Sequence, residues 1–366
     1  MRKSVLVAIL STLLIFSHTP ANALHSLEKY INAQQLASPG LLIINPVDGK
    51  VIAQNAPDSL RVPASVLKLV STASALHFIG AEKTYTTAIY GTGKEGTFLI
   101  KGTLDPWLTS NLTLSKKNGQ KFLPTLITKA NTKNKKTLKI YYTGVYEKDM
   151  KDLAINLKGK KIKATFKHVD SGQANELAKE EIYSFTSQPV SEMVKFAIMW
   201  SDNTLAHRLG KLAARKLGNS TDEKGLQKTF KQAMEEFGVD TTGMKIHDGS
   251  GLSKTNRLSA RTLVELLIKI RNNPVYESIY DGMPVGGLTG TLQKRFVDTA
   301  PNAIGHVHAK TGWVNHSVTM AGYVDDGENE FAFAILADGI SPSWSARKKA
   351  RETMDRLLGV IVKGNH

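Results

Sequence analysis

The order of segments along the chain predicts an α+β fold, in which an antiparallel sheet is flanked by helices and carries a small β-rich insert. Strand-like runs lie near both ends, at 41–53 and 317–337, and the middle shows the apolar spacing of helices. A lysine-rich stretch of different composition, residues 91–183, interrupts the helical part. Strands from both termini, covered by helices, form the layers of an α+β protein.

The first 23 residues have the pattern of a secretory signal peptide. Arg2 and Lys3 are positive, residues 5–16 are mostly apolar, and Ala21 and Ala23 are small residues of the kind a signal peptidase reads. We therefore expect secretion across the inner membrane and a periplasmic or cell-wall-associated protein. The alternative is a buried N-terminal helix. No run of about 18 apolar residues occurs later in the sequence, so no second membrane span is expected.

Charge and cysteine content limit the possible partners and chemistry. The 366-residue chain has no cysteine, which excludes disulfides, thiolate metal sites and cysteine catalysis. Its formal net charge is +16, and the stretch from Lys94 to Lys167 alone holds 17 Lys against 5 acidic residues. For an exported protein, this charge favours an anionic cell wall as partner, and no nucleic acid.

The remaining elements follow in order along the chain. A hairpin turns at Asp48-Gly49, and a helix at 64–79 is apolar nearly all round, which predicts burial. Residues 91–183 are interpreted as the β-rich insert, the alternative being a loosely ordered basic linker. Residues 24–90 and 184–366 then form one domain, with helices at 190–213, 221–237, 259–270 and 343–362 and strands at 317–324 and 330–337.

The C-terminal helix has apolar residues at helical spacing. They are Trp344, Met354, Leu357, Leu358 and Ile361. Packing of this helix on the sheet is the favoured interpretation, and an amphipathic membrane anchor is the alternative.

One Ser-x-x-Lys stands out from three in the chain by its context. Ser65 begins the buried helix, and residues three apart share a helix face, so Lys68 can reach the Ser65 hydroxyl. A serine hydroxyl needs a base beside it to become a good nucleophile. Lys68 can be that base only when neutral, and burial together with a second cation, Lys310, would lower its pKa.

Two further tripeptides complete a catalytic constellation. In Ser201-Asp202-Asn203, Ser201 can relay a proton to the leaving amine, and Asn203 can hold a substrate amide. In Lys310-Thr311-Gly312, the first two residues can grip a carboxylate, and Gly312 permits a close approach of the strand. The backbone N–H groups of Ser65 and Trp313 are the expected oxyanion hole. Alternatively, the three motifs could have structural roles only, the first as a helix cap, the second as a polar turn and the third as a strand end.

The motifs resemble those of the D-Ala-D-Ala carboxypeptidase/endopeptidases of peptidase family S13, which are low-molecular-mass penicillin-binding proteins. The resemblance rests on residues 62–68, 201–203, 247–253 and 309–312, with Asn256 and Ser259. It implies a β-lactamase/transpeptidase-like fold, an acyl-enzyme formed on peptidoglycan stem peptides, covalent inhibition by β-lactams such as penicillin, and no metal or other cofactor.

This chain departs from the family pattern at three points. The insert is shorter than in the larger members, and His207 stands where an acidic residue is common. Residues 141–144 lack the acidic residue that we associate with binding the diamino acid side chain of the substrate. Glu147 or Asp149 could replace it.

Other classes of hydrolase, and a protein without enzymatic activity, are the alternatives to this function. A β-lactamase needs a deacylating base, yet no Glu-x-x-Leu-Asn lies between Ser201 and Lys310. An α/β-hydrolase would need Gly-x-Ser-x-Gly, and the sequence around Ser250 does not have this pattern. A Ser-His-Asp site using His247 or His306, or a non-enzymatic penicillin-binding or wall-binding protein, stays open. Near the third motif, the histidines are interpreted as strand residues rather than metal ligands: His306, His308 and His316.

Overall fold

The computed structural model describes residues 27–364. The predicted signal peptide, residues 1–23, lies outside the described residues. Within them, no helix combines the length and the apolarity that crossing a membrane requires.

The strands of the described region form two separate sheets. In chain order they are β1 (Gly40–Ile44), β2 (Val51–Asn55), β3 (Thr86–Gly91), β4 (Thr97–Gly102), β5 (Thr137–Thr143), β6 (Lys163–His168), β7 (Glu180–Thr186), β8 (Val307–Val314), β9 (Ser317–Asp325) and β10 (Glu330–Asp338).

Helices connect and cover these sheets. After a helical segment at 27–31, the α-helices are α1 (Leu67–Ile79), α2 (Leu112–Asn118), α3 (Leu123–Ala130), α4 (Glu147–Gly159), α5 (Ser171–Leu177), α6 (Val190–Met199), α7 (Asn203–Lys216), α8 (Glu223–Glu236), α9 (Ala260–Arg271), α10 (Glu277–Asp281) and α11 (Trp344–Val362). Short 3₁₀ turns lie at Gln34–Leu36, Ala64–Val66, Pro274–Tyr276, Gly290–Leu292 and Pro301–Ala303.

The larger sheet joins the two ends of the chain. Its order is β2-β1-β10-β9-β8, and every neighbouring pair is antiparallel. Because successive strand residues point to opposite faces, β10 contributes to two cores. Ala332, Ala334 and Leu336 join the core beneath α1 and α9, while alternate residues Phe333 and Ile335 join the core beneath α11. The predicted antiparallel sheet flanked by helices is confirmed.

Two helices were predicted to pack in the core, and both do. Leu67 to Leu76 of α1 are all buried, as the apolar surface on every side of this helix indicated. In α11, the buried residues include Met354, Leu357, Leu358 and Ile361, which pack on the larger sheet. This packing confirms the core interpretation of the C-terminal helix.

The second sheet belongs to the insert. The insert contains more helix than predicted. The strand order of this sheet is β6-β5-β4-β3-β7, with parallel pairs β4–β5 and β5–β6. The domain boundaries drawn at 90/91 and 183/184 fall inside β3 and β7. The same region also contains α2 to α5, so it is a mixed α/β unit and neither a mainly β insert nor a loose linker. Three of these helices, α2, α3 and α5, have only seven or eight residues. Packing of residues such as Leu123, Ile127, Leu153 and Leu157 on the sheet stabilises α3 and α4.

Candidate active site

Ser65 and Lys68 meet at the start of the buried helix α1. Ser65 lies in the 3₁₀ turn Ala64–Val66, directly before α1. Lys68 is one turn further along and donates from Nζ to Ser65 Oγ at 2.8 Å. The spacing of three residues therefore produces the contact that the sequence predicted.

The ammonium group of Lys68 is enclosed by oxygen acceptors. It also donates to Asn203 Oδ1 at 2.7 Å and to the carbonyl oxygen of Ser250 at 2.7 Å. The side chain is fully buried. Burial lowers the pKa of Lys68 to about 7, although the carboxylates of Asp248 and Asp202 oppose the shift. Lys68 can thus be neutral near physiological pH.

The loop at 248–256 holds the Ser250 carbonyl against Lys68. Asp248 Oδ1 accepts from the backbone N–H groups of Ser250 and Gly251 at 2.6 and 2.7 Å, and its other oxygen accepts from Asn256 Nδ2 at 3.0 Å. Burial raises the pKa of Asp248, but these hydrogen bonds outweigh it and hold the pKa at about 2. Gly251 has φ +85, and a Cβ there would lie 1.8 Å from the Ala64 carbonyl oxygen, so the close contact requires glycine.

His207, the departure from the family pattern, supports the same loop. Its Nδ1 accepts a hydrogen bond from the backbone N–H of Gly249 at 3.1 Å. Burial lowers the pKa of His207, which keeps the ring neutral and its Nδ1 available as an acceptor.

The second motif lies at the start of α7. Asp202 caps this helix by accepting from Leu205 N at 2.8 Å, which places Asn203 in the first turn and beside Lys68. Ser201 adopts φ 57 just before the cap and lines the same cavity as Ser65. Among the described residues, Lys68 donates to Ser65, Asn203 and Ser250, and Ser201 is not one of its acceptors.

The third motif lies on β8, at the edge of the larger sheet. Lys310 is fully buried and donates to the Thr311 carbonyl at 2.8 Å. Burial, and secondly repulsion from Lys68, lower the pKa of Lys310 well below its ordinary value. Thr311 instead faces the cavity, where its hydroxyl lies 2.8 Å from that of Thr291.

Gly312 brings β8 against the turn that holds Ser65. A Cβ at this position would lie 2.1 Å from Thr319 Oγ1 and 2.9 Å from the backbone nitrogen of Ser65. The Thr319 hydroxyl in turn donates to the Pro63 carbonyl at 2.8 Å. The absence of a side chain at 312 therefore sets the distance between the strand and the serine.

The two larger of the cavities that reach the motif residues approach them from different sides. One, of about 240 Å³, is lined by Ser65, Ser201, Thr291, Arg295, Thr311, Gly312, Trp313, Val318 and Arg351. The other, of about 810 Å³, lies between the second motif and the insert, and its lining includes Asn203, Ser250, Tyr146, Glu147 and His168. Lys68 and Lys310 lie buried beneath these surfaces.

Several residues of the site escaped prediction. Asp248 belongs to a segment that carries the family resemblance, but nothing in the sequence connects its carboxylate to the position of the Ser250 carbonyl. Thr291, Thr319 and Arg351 lie outside any motif. Only the tertiary structure brings them to the serine, so no local sequence signal could have identified them.

The histidines around the third motif have separate partners. His306 Nδ1 lies 2.7 Å from Asp325 Oδ1, His308 stacks on Tyr280 with ring centroids 5.1 Å apart, and His316 Nδ1 lies 3.0 Å from the Ile340 carbonyl. Within residues 27–364, no group of three or more His, Cys, Asp or Glu side chains has the arrangement of a metal site.

The fold and the site together define a class of protein. An antiparallel sheet flanked by helices, with a cavity-lining serine beside a buried lysine between a polar loop and an edge strand, is the β-lactamase/transpeptidase-like arrangement. The chain belongs to the D-Ala-D-Ala carboxypeptidase 3 (S13) family, whose model matches residues 23–129 and 128–360.

Individual relatives agree with this assignment. The carboxypeptidase DacB of Mycolicibacterium smegmatis is 31% identical over 180 residues, which cover 48% of this chain and 38% of that protein. The D-alanyl-D-alanine carboxypeptidase of an Actinomadura species is 35% identical over 168 residues, 44% of this chain and 31% of that protein. The matches thus span about a third of these relatives' length.

A solved structure has the same fold over most of the chain. The crystal structure of penicillin binding protein 4 (dacB) from Haemophilus influenzae superimposes with a TM-score of 0.71, covering 90% of this chain and 97% of that one, at 15% sequence identity. The predicted β-lactamase/transpeptidase-like fold is confirmed.

Proposed function

We propose that this protein is a serine D-Ala-D-Ala carboxypeptidase/endopeptidase that acts on peptidoglycan stem peptides through an acyl-enzyme at Ser65 and is inhibited by penicillin. One observation carries the proposal. The fully buried Lys68 ammonium lies 2.8 Å from Ser65 Oγ, and burial lowers its pKa to about 7. A base with this pKa can activate a serine hydroxyl at neutral pH.

The acylation step assigns a role to each motif. Neutral Lys68 takes the proton of Ser65 as Oγ attacks the carbonyl of the penultimate D-Ala. The backbone N–H groups of Ser65 and Trp313 stabilise the oxyanion. Ser201, on the cavity wall, relays a proton to the leaving amine, and Asn203 holds the substrate amide. Water then releases the peptide and restores Ser65.

Binding of the terminal carboxylate is assigned to Thr311, which Lys310 positions. Thr311 lines the cavity, whereas Lys310 is enclosed and already donates to the Thr311 carbonyl. Lys310 therefore acts by positioning Thr311 through this hydrogen bond, and the direct hydrogen bond to the carboxylate comes from the threonine hydroxyl.

The insert offers one residue for the amine of a diamino acid side chain. Of the two acidic residues considered, Asp149 is buried and pairs with Arg208 at 2.9 Å. Glu147 lines the larger cavity, with both carboxylate oxygens 3.1 Å from the Tyr142 hydroxyl. Glu147 is thus the acidic group accessible to a substrate amine.

We also propose that the protein is exported through its N-terminal signal and that the basic insert holds it against the anionic wall. Lysines on the surface of the insert are exposed, for example Lys133, Lys135, Lys136 and Lys139. They lie apart from the residues that contact Ser65. Their charge concentrates the enzyme on its substrate and takes no part in bond cleavage.

Turnover of a defined peptide tests the proposed activity. The protein is incubated with a muropeptide ending in D-Ala-D-Ala, and the products are identified by mass spectrometry. Loss of one D-Ala with the wild type, and none with Ser65→Ala, is expected. If penicillin acylates the wild type but no peptide is cleaved, the protein is a penicillin-binding protein without this activity. Rapid release of hydrolysed penicillin would instead identify a β-lactamase.

A further inference from the structure

Two arginines and two tryptophans lie together beside the cavity that contains Ser65. Trp344, Arg347 and Arg351 share one face of α11, because they are three and four residues apart. The guanidinium of Arg347 lies 4.6 Å from the ring centroid of Trp313, the residue after the third motif. Arg351 lies 5.4 Å from Trp313 and 4.8 Å from Trp344. We call these four residues the arginine-tryptophan face.

This face continues into the active-site cavity. Arg351 lines the cavity of about 240 Å³ together with Ser65 and Thr311. Thr311 is the residue assigned to the carboxylate of the leaving amino acid. Asn203, which is assigned to the substrate amide, lines the other cavity. The arginine-tryptophan face therefore lies on the leaving-group side of the reacting serine.

In the described part of the chain, the two arginines of this face lack the close ion pair that neutralises their neighbour Arg295. The neighbouring Arg295 is neutralised by Asp355, with Nη2 and Oδ1 2.5 Å apart. Within residues 27–364, neither Arg347 nor Arg351 has a carboxylate oxygen within 4 Å of its guanidinium. Arg347 Nε is buried without a hydrogen-bond partner among the described residues. Burial, followed by repulsion from Arg295, lowers the pKa of Arg351, and the carboxylates of Asp355 and Glu352 oppose the shift only in part.

Both tryptophans are partly exposed, which leaves their rings available to a ligand. Trp313 is 45% exposed and Trp344 is 58% exposed. A guanidinium held over an aromatic ring keeps its outer N–H groups free, and its planar fork matches a carboxylate. The exposed ring edges can pack against the methylene groups of a peptide.

We propose that the arginine-tryptophan face is a carboxylate-binding subsite for the leaving strand of the substrate, so that the preferred leaving group is an acidic peptide rather than a single D-Ala. This inference rests on the proposed function and selects, within it, the cleavage of cross-linked peptides. A lone D-Ala has one carboxylate, which Thr311 and Lys310 accommodate. A cross-linked strand carries further carboxylates, which Arg351 and Arg347 would bind.

A pair of cross-linked peptide dimers tests the subsite. The dimers differ only in whether the distal carboxylates of the leaving strand are free or amidated, and kcat/KM is measured for each. We expect the wild type to prefer the free-carboxylate dimer by about tenfold or more, the equivalent of roughly 1.4 kcal/mol. Arg351→Gln should reduce this ratio to near one, and Arg351→Lys, which keeps the charge but loses the planar fork, should give an intermediate ratio.

The controls separate this inference from the proposed function. Lys348→Gln removes one exposed charge from the same helix and should leave the ratio unchanged. Stoichiometric acylation by penicillin verifies that each variant keeps a folded site. A wild-type ratio near one, an unchanged ratio in Arg351→Gln, or an equal loss in Lys348→Gln would overturn the subsite. Failure of the wild type to cleave any D-Ala-D-Ala peptide would overturn the proposed function instead.

Discussion

At the residue scale, the proposed chemistry depends on Lys68, which must be neutral before it can accept the proton of Ser65. Lys68 is fully buried, and this burial outweighs the nearby carboxylates of Asp248 and Asp202. Three oxygen acceptors still surround its Nζ, which keeps it directed at Ser65 in either protonation state. The site thus combines a lowered pKa with a fixed orientation.

The pH dependence of acylation should report this pKa. Below pH 7, Lys68 is increasingly protonated and cannot take the proton of Ser65, so the rate should fall about tenfold per pH unit. Above pH 7, Lys68 is neutral and the rate should level off. Stopped-flow measurement with a fluorescent penicillin would give the profile.

Replacement of the base provides the matching control. Lys68→Arg keeps the positive charge but cannot lose its proton, and acylation should be abolished. Acylation at more than a small fraction of the wild-type rate in this variant would show that Lys68 is not the base.

Only part of the site was accessible from the sequence at this scale. The contact between Ser65 and Lys68 follows from helical geometry, so a spacing of three predicts it. The Ser250 carbonyl, in contrast, reaches Lys68 because Asp248 gathers the N–H groups of its own loop. Backbone groups carry no residue-type signal, and such contacts emerge only from the folded chain.

At the element scale, a buried ion pair joins the insert to the catalytic domain. Arg208 on α7 donates to Asp149 on α4 at 2.9 Å and to the Leu108 carbonyl at 2.9 Å, and both side chains are nearly inaccessible. Its guanidinium also lies 4.0 Å from the Tyr146 ring centroid. This connection places the Glu147 side of the insert opposite the second motif.

Removal of one partner should destabilise the protein strongly. Arg208→Met leaves Asp149 buried and unpaired, and the free energy of unfolding should fall by about 3–5 kcal/mol. Arg208→Met with Asp149→Leu should recover much of that loss, since the Asp149 carboxylate is then no longer buried without its partner. Urea denaturation measures both.

The exposed pair of Lys148 and Asp152 serves as the comparison, since Lys148→Met should change stability by less than about 1 kcal/mol. Equal losses at the two pairs would show that burial of Arg208 and Asp149 does not determine their contribution.

The elements themselves were predicted with unequal success. Long helices with a continuous apolar surface, such as α1 and α9, were found because their burial is encoded in the spacing. Among the insert helices, α2 and α5 have only 7 residues each, too few for a clear apolar pattern. Their stability comes from contacts with the sheet, which residue preferences do not reveal. In contrast, α4 has 13 residues with Met150, Leu153 and Leu157 at helical spacing, so its signal was present in the sequence.

At the scale of the whole molecule, charge and catalysis occupy different regions. The excess of lysine lies on the insert, and the reacting groups lie where α1, the start of α7 and β8 meet. Two of the insert lysines, Lys133 and Lys135, share Glu95 at 2.7 Å each, so part of the charge is compensated locally. The remainder is free to act on an anionic surface.

Binding to cell-wall sacculi should therefore weaken steeply as salt rises, while hydrolysis of a short soluble peptide barely changes. Exposed charges act over about 8–10 Å at physiological ionic strength and are screened by salt. Replacement of Lys133, Lys135, Lys136 and Lys139 with Gln should reproduce the high-salt binding at low salt. Co-sedimentation with sacculi measures the bound fraction.

The matched control removes four exposed lysines from the catalytic domain, namely Lys216, Lys224, Lys228 and Lys231. If the two sets of substitutions weaken binding to sacculi equally, binding depends on the total charge of the protein and not on the insert. Loss of short-peptide turnover in the insert variant would show that these four lysines take part in the active site.

The most direct test of the proposed acyl-enzyme is the intact mass of the protein after incubation with penicillin. One adduct per chain is expected, because Ser65 is the serine that has a buried lysine within hydrogen-bond distance among residues 27–364. Proteolytic mapping should place it on the peptide that carries Ser65, and Ser65→Ala should show no mass increase. An adduct on Ser250 or Ser345, or one that persists in Ser65→Ala, would contradict the assignment of Ser65 as the nucleophile.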